Sequence, residues 1–171
     1  MKVYIWSDLH LWHKNIIKYE NRPFSSVEEM NDTIIKNWNE IVKPEDTIIN
    51  LGDVSFRLHK EILGICIRQL PGKKILILGN HDRKKPIHWW EDVGFDEVYK
   101  YPIIYKKYFI LSHEQVYIND SMPYVNIHGH SHSESSNNLQ KVNVSIELTD
   151  YKPLLFDTII EKFRKIEEVS E

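Results

Sequence analysis

The sequence is poor in cysteine, carries little net charge and has no long apolar run. Cys66 is its single cysteine, which excludes an intrachain disulfide, and its apolar neighbours predict a buried thiol. A net charge of −3 gives no support for general nucleic-acid or membrane binding, so we expect neither a stable nucleic-acid complex nor a membrane partner. No apolar run approaches the roughly 20 residues of a membrane span.

The start of the chain also lacks targeting features. Met1 leads directly into a strand-like run, without the basic segment and apolar stretch of a secretion signal. We therefore expect a cytoplasmic protein. A length of 171 residues suits one domain over residues 1–171, large enough to bury a core, and no linker or repeat divides it.

Histidine, in contrast, is abundant. The chain has nine histidines, and six of them lie from His81 to His132, most next to strand-like runs. This clustering directs the search for a metal or catalytic site to the strand ends. His59 and His88 lie in mixed helical contexts instead, and we expect them at the surface.

The first half of the chain alternates strands and helices. Buried strands are predicted at residues 3–6, 46–51 and 74–78. A capping box that starts at Ser26 begins one helix between them, and residues 57–70 form a second. Alternation at this spacing predicts a parallel sheet covered by helices, with a site beyond the carboxyl ends of its strands.

The second half has a more antiparallel character. Residues 98–105 and 108–112 predict a hairpin, and residues 124–127 predict a further strand. Residues 141–148 alternate between apolar and polar side chains, which predicts another strand. An amphipathic helix is expected over residues 157–169.

Metal-ligating residue types follow five of these strands. Asp8 and His10 are two apart in an extended segment, so their side chains project together. A mixed Asp, His and Asn set suits Mn, Fe, Ni or Zn. Seven candidates are too many for one tetrahedral ion and suit two ions that share a carboxylate, as in displacements at phosphorus. The seven are Asp8, His10, Asp53, Asn80, His113, His130 and His132.

Charge favours the same chemistry. The positive charge of two divalent ions would exceed the negative charge of Asp8 and Asp53, and the other candidate ligands are neutral. The centre would stay positive even with a bridging hydroxide, which favours an anionic substrate such as a phosphate ester.

The motif order resembles the calcineurin-like metallophosphoesterase superfamily. The matching motifs are DLH at 8–10, GD at 52–53, GNHD at 79–82, His113 after a strand, and GHSH at 129–132. The chain is most similar to small single-domain bacterial and phage phosphoesterases. Those proteins carry an RPF segment like residues 22–24 and a late segment like NVSIELTDYKP at 143–153.

The resemblance implies a fold and a set of roles. The fold would be an α/β, four-layer αββα sandwich with two mixed β-sheets flanked by helices. Asp53 would bridge two ions. His81 would stand beside the phosphate, either as general acid to the leaving oxygen or to stabilise its charge, and Asp82 would orient His81. One ion would be held by Asp8, His10 and His132, and the other by Asn80, His113 and His130.

We therefore expect a phosphoesterase that uses two divalent ions, with Mn favoured, and attack by a metal-bridging hydroxide. A small chain without a cap domain predicts an open site, which favours phosphodiesters. The substrate would be a small phosphate ester or nucleotide, and the protein a monomer or small homo-oligomer. The alternatives are a phosphomonoesterase, including a protein phosphatase, and a non-catalytic scaffold of the same fold.

The sequence leaves more than one role possible for some residues near these motifs. His13 either reaches substrate or is simply exposed, and Arg22 is the arginine best placed for a phosphate contact. His128 is expected in an outer shell or the core. Several relatives have an aromatic residue and a proline where this chain has Glu114 and Gln115, so the substrates of those relatives are not assigned to this chain.

Overall fold

Two mixed β-sheets organise the chain. A computed structural model describes residues 1–56, 59–119, 121–135 and 140–161. The first sheet has five strands and the second has four. This confirms the predicted fold class, an α/β sandwich of two mixed sheets with helices.

The first sheet carries four parallel strands and one antiparallel edge strand. Its strands are β1 (Val3–Trp6), β2 (Thr47–Asn50), β3 (Lys73–Ile77), β4 (Glu97–Tyr99) and β9 (Leu154–Leu155), in the spatial order β4-β3-β2-β1-β9. The strands β1 to β4 run parallel, and β9 pairs with β1 in the antiparallel sense. The loops after β1, β2 and β3 therefore emerge at one edge of the sheet.

Helices pack on the first sheet through their apolar faces. They are α1 (Ile16–Tyr19), α2 (Val27–Ile41), α3 (Lys60–Gln69) and α4 (Ile87–Val93). Met30, Ile34 and Trp38 of α2 are buried, and the Trp38 ring packs edge-to-face on Trp6 of β1 at 5.5 Å between ring centroids. Burial of such large rings contributes much of the apolar stabilisation of this layer.

The second sheet has the order β5-β6-β7-β8. Its strands are β5 (Ile103–Tyr105), β6 (Phe109–Leu111), β7 (Val125–His128) and β8 (Lys141–Asn143). A second apolar cluster joins Ile5, Ile49 and Ile77 of the first sheet to Leu111 and Ile127 of the second. Because strand side chains alternate, the first sheet buries one face against helices and the other against its partner sheet.

Two sequence predictions of strands need correction. Residues 98–105 are not one strand, because β4 pairs with β3 in the first sheet and β5 pairs with β6 in the second. Pro102 lies between them, where it interrupts the ladder. The strand predicted over 141–148 ends at Asn143 and is followed by a 3-10 helix, Ile146–Leu148.

Parts of other predictions lie outside the described residues. Residues 156–161 are helical, but the rest of the helix predicted over 157–169 is not covered. Arg57 and Leu58, at the start of the helix predicted over residues 57–70, also lie outside the described residues. In the structure this helix begins at Lys60. In the part of the chain that the structure describes, no helix is long and apolar enough to cross a membrane.

The N-terminus of α2 offers a direct test of the fold. The Ser26 hydroxyl accepts a hydrogen bond from the Glu29 backbone N–H at 3.1 Å, which satisfies a donor that the helix leaves free. We expect Ser26→Ala to lower the free energy of unfolding by about 1 kcal/mol in urea denaturation. Ser135→Ala, at an exposed position, is the control, and an equal effect of both would contradict this role.

Candidate metal centre

The seven predicted ligands lie together where the ends of both sheets meet. Asp8 follows β1, Asp53 follows β2 and Asn80 follows β3, while His113 follows β6 and His130 follows β7. His10 and His132 lie two residues further along the first and last of these loops. Each loop therefore supplies one or two ligands, as the strand-end pattern predicts.

The backbone of these loops is held in an unusual conformation. A left-handed conformation is uncommon outside glycine and costs on the order of 1 kcal/mol per residue, and such residues cluster at functional sites. Here it turns the chain sharply enough for side chains two apart to converge. It occurs at Asp8 (φ 63°), His10 (φ 47°), Asp53 (φ 55°), His130 (φ 67°) and His132 (φ 44°).

Two glycines let the carboxylates come close to neighbouring loops. A Cβ placed on Gly79 would collide with Asp53 Oδ1, and one on Gly129 would collide with Ser7 and with Asp8 Oδ2. Only the absence of a side chain at these positions allows the observed packing. The glycines are therefore part of the construction of the site.

Asp53 lies at the middle of the cluster. Its Oδ2 atom is 3.6 Å from His10 Nε2 on one side and 3.6 Å from His113 Nε2 on the other. Ligand atoms of Asp8, His10 and His132 lie within 4.8 Å of one another, and so do those of Asp8, Asp53 and His113. Asp8 belongs to both groups, and Asp53 Oδ2 lies 3.6 Å from one histidine of each, so carboxylates lie between two possible ion positions.

The second position includes the remaining two candidates. Asn80 Oδ1 is 2.9 Å from His113 Nε2. The ring of His130 lies 5.0 Å from that of His113, whereas the ring of His132 lies 5.2 Å from that of His10. Asn80 and His130 therefore lie beside His113, and His132 lies beside His10; which ion each residue would hold stays a prediction.

Unpartnered buried atoms show that a cation fits this site. Asp8 Oδ1 and His10 Nε2 are buried and have no hydrogen-bond partner among the described residues. Leaving such atoms unpaired costs about 1–3 kcal/mol each, more for a charged group. A divalent ion between them would satisfy both, and oxygen and imidazole donors suit such an ion.

Hydrogen bonds fix which ring nitrogen faces the centre. The Nδ1 atom of His113 lies 2.8 Å from the Leu51 carbonyl, to which it donates, so its Nε2 carries a lone pair. His132 Nδ1 lies 3.0 Å from Glu147 Oε1. Contacts of this kind orient metal-ligating imidazoles and raise their basicity.

Glu147 is a site residue that the sequence reasoning did not single out. Its Oε1 atom also accepts two hydrogen bonds from Arg22, at 2.9 and 2.7 Å. The only sequence signal was its place in the 143–153 segment that resembles the family. Its partner Arg22 lies 125 positions away along the chain, so no local sequence pattern predicts this contact.

Arg22 does not have the predicted role. Its guanidinium is buried and donates to the carbonyls of Asp8 at 2.8 Å and Leu9 at 3.0 Å, as well as to Glu147. The prediction of a substrate contact is therefore wrong. Arg22 instead holds the loop after β1 and fixes the carboxylate that orients His132.

Asp82 also has a different role from the predicted one. It is buried, and it accepts from the backbone N–H groups of Asp53 at 2.6 Å, Val54 at 3.2 Å and Gly79 at 3.0 Å. No hydrogen bond to the His81 ring is found in the described structure. Asp82 thus joins the loops after β2 and β3 and positions Asp53 rather than His81.

His81 stands at the open side of the centre. Its side chain is 30% exposed, with Nε2 3.8 Å from Asp53 Oδ2. Partial burial and the nearby charge of Lys84 lower the pKa of its imidazole. A neutral imidazole keeps one N–H group that can donate a hydrogen bond.

His13 is not simply exposed, so that alternative is wrong. Its ring stacks on Phe56 with 4.0 Å between centroids, and its Nδ1 lies 3.3 Å from Nδ1 of His10. It lines a cleft of about 510 Å³ over the centre, with Tyr19, His81 and other residues. Its contact with substrate stays a prediction.

The remaining histidines agree with the sequence analysis. His128 is buried and its Nδ1 lies 2.8 Å from the Gly129 carbonyl, which confirms a core role. His59 and His88 are exposed, as predicted. Glu114, where relatives differ, pairs with Arg83 through two contacts of 2.6 and 2.5 Å, so the charge of Arg83 is neutralised.

The chain is similar to a known protein family and to several known proteins. A family model described as calcineurin-like phosphoesterase matches residues 1–169. The uncharacterized protein MJ1445 of Methanocaldococcus jannaschii is 37% identical over 182 aligned positions, which cover 96% of this chain and 92% of that protein. The Gene 66 protein of Mycobacterium phage L5 is 41% identical over 85 positions, covering 48% of this chain and 40% of that protein.

A solved structure has the same fold. The crystal structure of AQ665, a protein of unknown function from Aquifex aeolicus, superposes with a TM-score of 0.73 at 30% identity. The match covers 94% of this chain and 98% of that one. The similarity therefore extends over nearly the whole of both chains.

The role of Asp82 can be separated from that of His81 by metal binding. Asp82→Asn removes a charged acceptor that holds the Asp53 loop, so we expect Mn²⁺ affinity in calorimetric titration to fall by about tenfold or more. His81→Ala should leave that affinity unchanged. Wild-type affinity in Asp82→Asn would show that Asp82 does not position Asp53.

The Asp53 carboxyl predicts a pH dependence of the metal-free protein. Burial, followed by the charges of Asp82 and Asp8, raises the pKa of Asp53 from 3.8 to about 8. Between about pH 4 and pH 8 the Asp53 carboxyl is therefore protonated in the folded chain and ionised in the unfolded chain. Its contribution to the free energy of unfolding falls as pH rises through this range.

The measurement is urea denaturation in EDTA at pH 7 and pH 8.5, above the ordinary histidine range. Wild type should lose about 1 kcal/mol of unfolding free energy relative to Asp53→Asn over this interval. Excess Mn²⁺ should reverse the loss, because a cation stabilises the ionised carboxylate. Equal slopes for the two proteins would contradict the raised pKa.

Proposed function

The chain belongs to the calcineurin-like phosphoesterase family, and we propose that it hydrolyses phosphodiesters with the help of two divalent ions. Family membership and the clustered ligands support a metal-dependent phosphoesterase. The central position of Asp53, 3.6 Å from a histidine nitrogen on either side, is the observation that carries the two-ion proposal.

The proposed ligands follow the geometry. Asp8, His10 and His132 would hold one ion, and Asn80, His113 and His130 the other, with Asp53 between them. When bound, such ions lower the pKa of water and neutralise phosphate charge. A mixed oxygen and imidazole set favours Mn²⁺, with Fe, Ni or Zn as alternatives.

The reaction consumes one water. Its oxygen forms a bond to phosphorus while the bond from phosphorus to the leaving oxygen breaks. The proton that the attacking water loses balances the proton that the leaving oxygen gains. His81, at the open edge of the site, would hydrogen-bond to the leaving oxygen and assist this transfer.

The shape of the site favours diesters over monoesters. Clefts open on more than one side of His81. A phosphate beside it therefore has room for both of its ester substituents, which we call its arms. A small phosphate ester or nucleotide is the proposed substrate class. The intact ligand set and the presence of His81 favour catalysis over a scaffold role. A cytoplasmic location and a monomer or small homo-oligomer stay predictions.

Hydrolysis of two chromogenic esters tests this function. With added Mn²⁺, bis(p-nitrophenyl) phosphate should be cleaved with higher kcat/KM than p-nitrophenyl phosphate. We expect Asp53→Asn to abolish cleavage through loss of the shared ligand, and His81→Ala to reduce kcat by about a hundredfold or more. His88→Ala, at an exposed position on α4, is the control.

The opposite preference would favour the phosphomonoesterase alternative. Undiminished hydrolysis by Asp53→Asn would contradict the proposed centre itself. Absence of hydrolysis of either ester in a metal-loaded protein would favour the scaffold.

A further inference from the structure

A second cleft shares two residues with the one over the metal centre. We call it the lysine cleft; it has a volume of about 490 Å³, and Phe56 and His81 line both clefts. Its other lining residues include His59, Lys84, Lys85 and Trp89. A phosphate beside His81 would therefore extend one of its arms into the lysine cleft.

The lysine cleft differs in charge from its neighbours. Lys84 and Lys85 are exposed, and neither forms an ion pair with any residue of the described ranges. The cleft over the metal centre contains Glu20, and so does a third cleft next to His132. A negatively charged arm is therefore favoured on the lysine side and repelled on the Glu20 side.

The cleft also combines positive charge with an aromatic surface. Lys85 Nζ lies 5.4 Å from the centroid of the Trp89 ring, and Trp89 is half-buried against Trp90 at 4.7 Å. Lysine binds phosphate as a point charge, and aromatic rings stack on bases without sequence preference. Together these groups match a nucleoside that carries a phosphate.

We propose that the lysine cleft binds a second phosphate on the substrate, so that the preferred substrate is a diester whose departing arm is a phosphorylated nucleoside. This inference rests on the proposed function. The arm is assigned as the departing one because an in-line displacement places the leaving oxygen opposite the attacking water, which the ions would hold. The lysine cleft is lined by His81 and by none of the seven candidate ligands, whereas the cleft over the centre is also lined by His10 and His132.

The dinucleotide pTpT makes this orientation visible. Water adds its oxygen to the central phosphorus, the bond from phosphorus to the 3′-oxygen of the phosphorylated thymidine breaks, and that oxygen takes up a proton. Both products are then thymidine 5′-monophosphate. The opposite orientation breaks the bond to the 5′-oxygen and gives thymidine 3′,5′-bisphosphate and thymidine.

The test compares pTpT with TpT on the Mn²⁺-loaded protein. We expect a KM for pTpT lower by on the order of tenfold, the size expected of two partly exposed ion pairs, with thymidine 5′-monophosphate as the product. Equal KM values would overturn the second-phosphate site. Formation of thymidine 3′,5′-bisphosphate would overturn the orientation.

Charge-matched variants locate the effect. The double variant Lys84→Gln and Lys85→Gln should lose the preference for pTpT, which is measured as the ratio of the KM values for TpT and pTpT within that variant. A change in the pKa of His81 on loss of the Lys84 charge acts on both substrates alike and leaves this ratio unaffected. The control is Lys106→Gln with Lys107→Gln, an equal change in the turn before β6, at the opposite end of that strand from His113. A preference that survives in the first variant, or is lost in the control, would overturn the assignment.

A binding measurement tests the second-phosphate site independently of the proposed hydrolysis. Calorimetry with the Mn²⁺-loaded protein should show tighter binding of thymidine 3′,5′-bisphosphate than of thymidine 5′-monophosphate, and the Lys84 and Lys85 variant should remove the difference. This readout does not need hydrolysis. If the protein cleaves no ester but binds the bisphosphate more tightly than the monophosphate, the proposed function is wrong and the second-phosphate site is supported. Equal affinities for the two compounds would overturn the second-phosphate site.

Discussion

The structure depends on the burial of three carboxylates at one edge of a sheet. Asp8, Asp53 and Asp82 are each at most 2% exposed. Burial in a low dielectric raises the pKa of Asp53 and Asp82, and the repulsion between neighbouring carboxylates adds to this effect. Backbone N–H groups stabilise Asp82, whereas Asp8 Oδ1 is left without a partner. Divalent cations bound at this edge would offset the repulsion.

The loops at this edge bring the candidate ligands together at a cost in backbone energy. Left-handed residues and closely packed glycines bring side chains from two different sheets to one place. Arg22 and Glu147 then connect the loop after β1 to His132 through buried hydrogen bonds. Buried ion pairs of this kind contribute little net stability, but removing one partner leaves an uncompensated charge. We interpret this pair as a device that fixes the positions of ligands.

Much of the site could be predicted because its ligands obey a local rule. Polar residues after buried strands converge when the strands are parallel, so Asp8, Asp53 and Asn80 were expected at one edge. The roles of Arg22 and Asp82 could not be predicted, because a side chain that binds backbone N–H or C=O groups leaves no pattern in the partner sequence. The strand over 98–105 was mispredicted for a related reason. Local periodicity identifies extended residues but does not say that β4 and β5 join different sheets.

The three clefts and the centre together suggest how a small open site can still be selective. In our proposal, a phosphate beside His81 would be oriented by the charge of its arms, because Glu20 lines the clefts on one side and the two lysines line the cleft on the other. All of this presupposes two ions that share Asp53. An anomalous-difference map from crystals grown with Mn²⁺ tests that claim most directly. We expect two peaks roughly 3.5–4 Å apart, one on either side of the Asp53 carboxylate. A single peak, or two peaks that do not both contact Asp53, would contradict it.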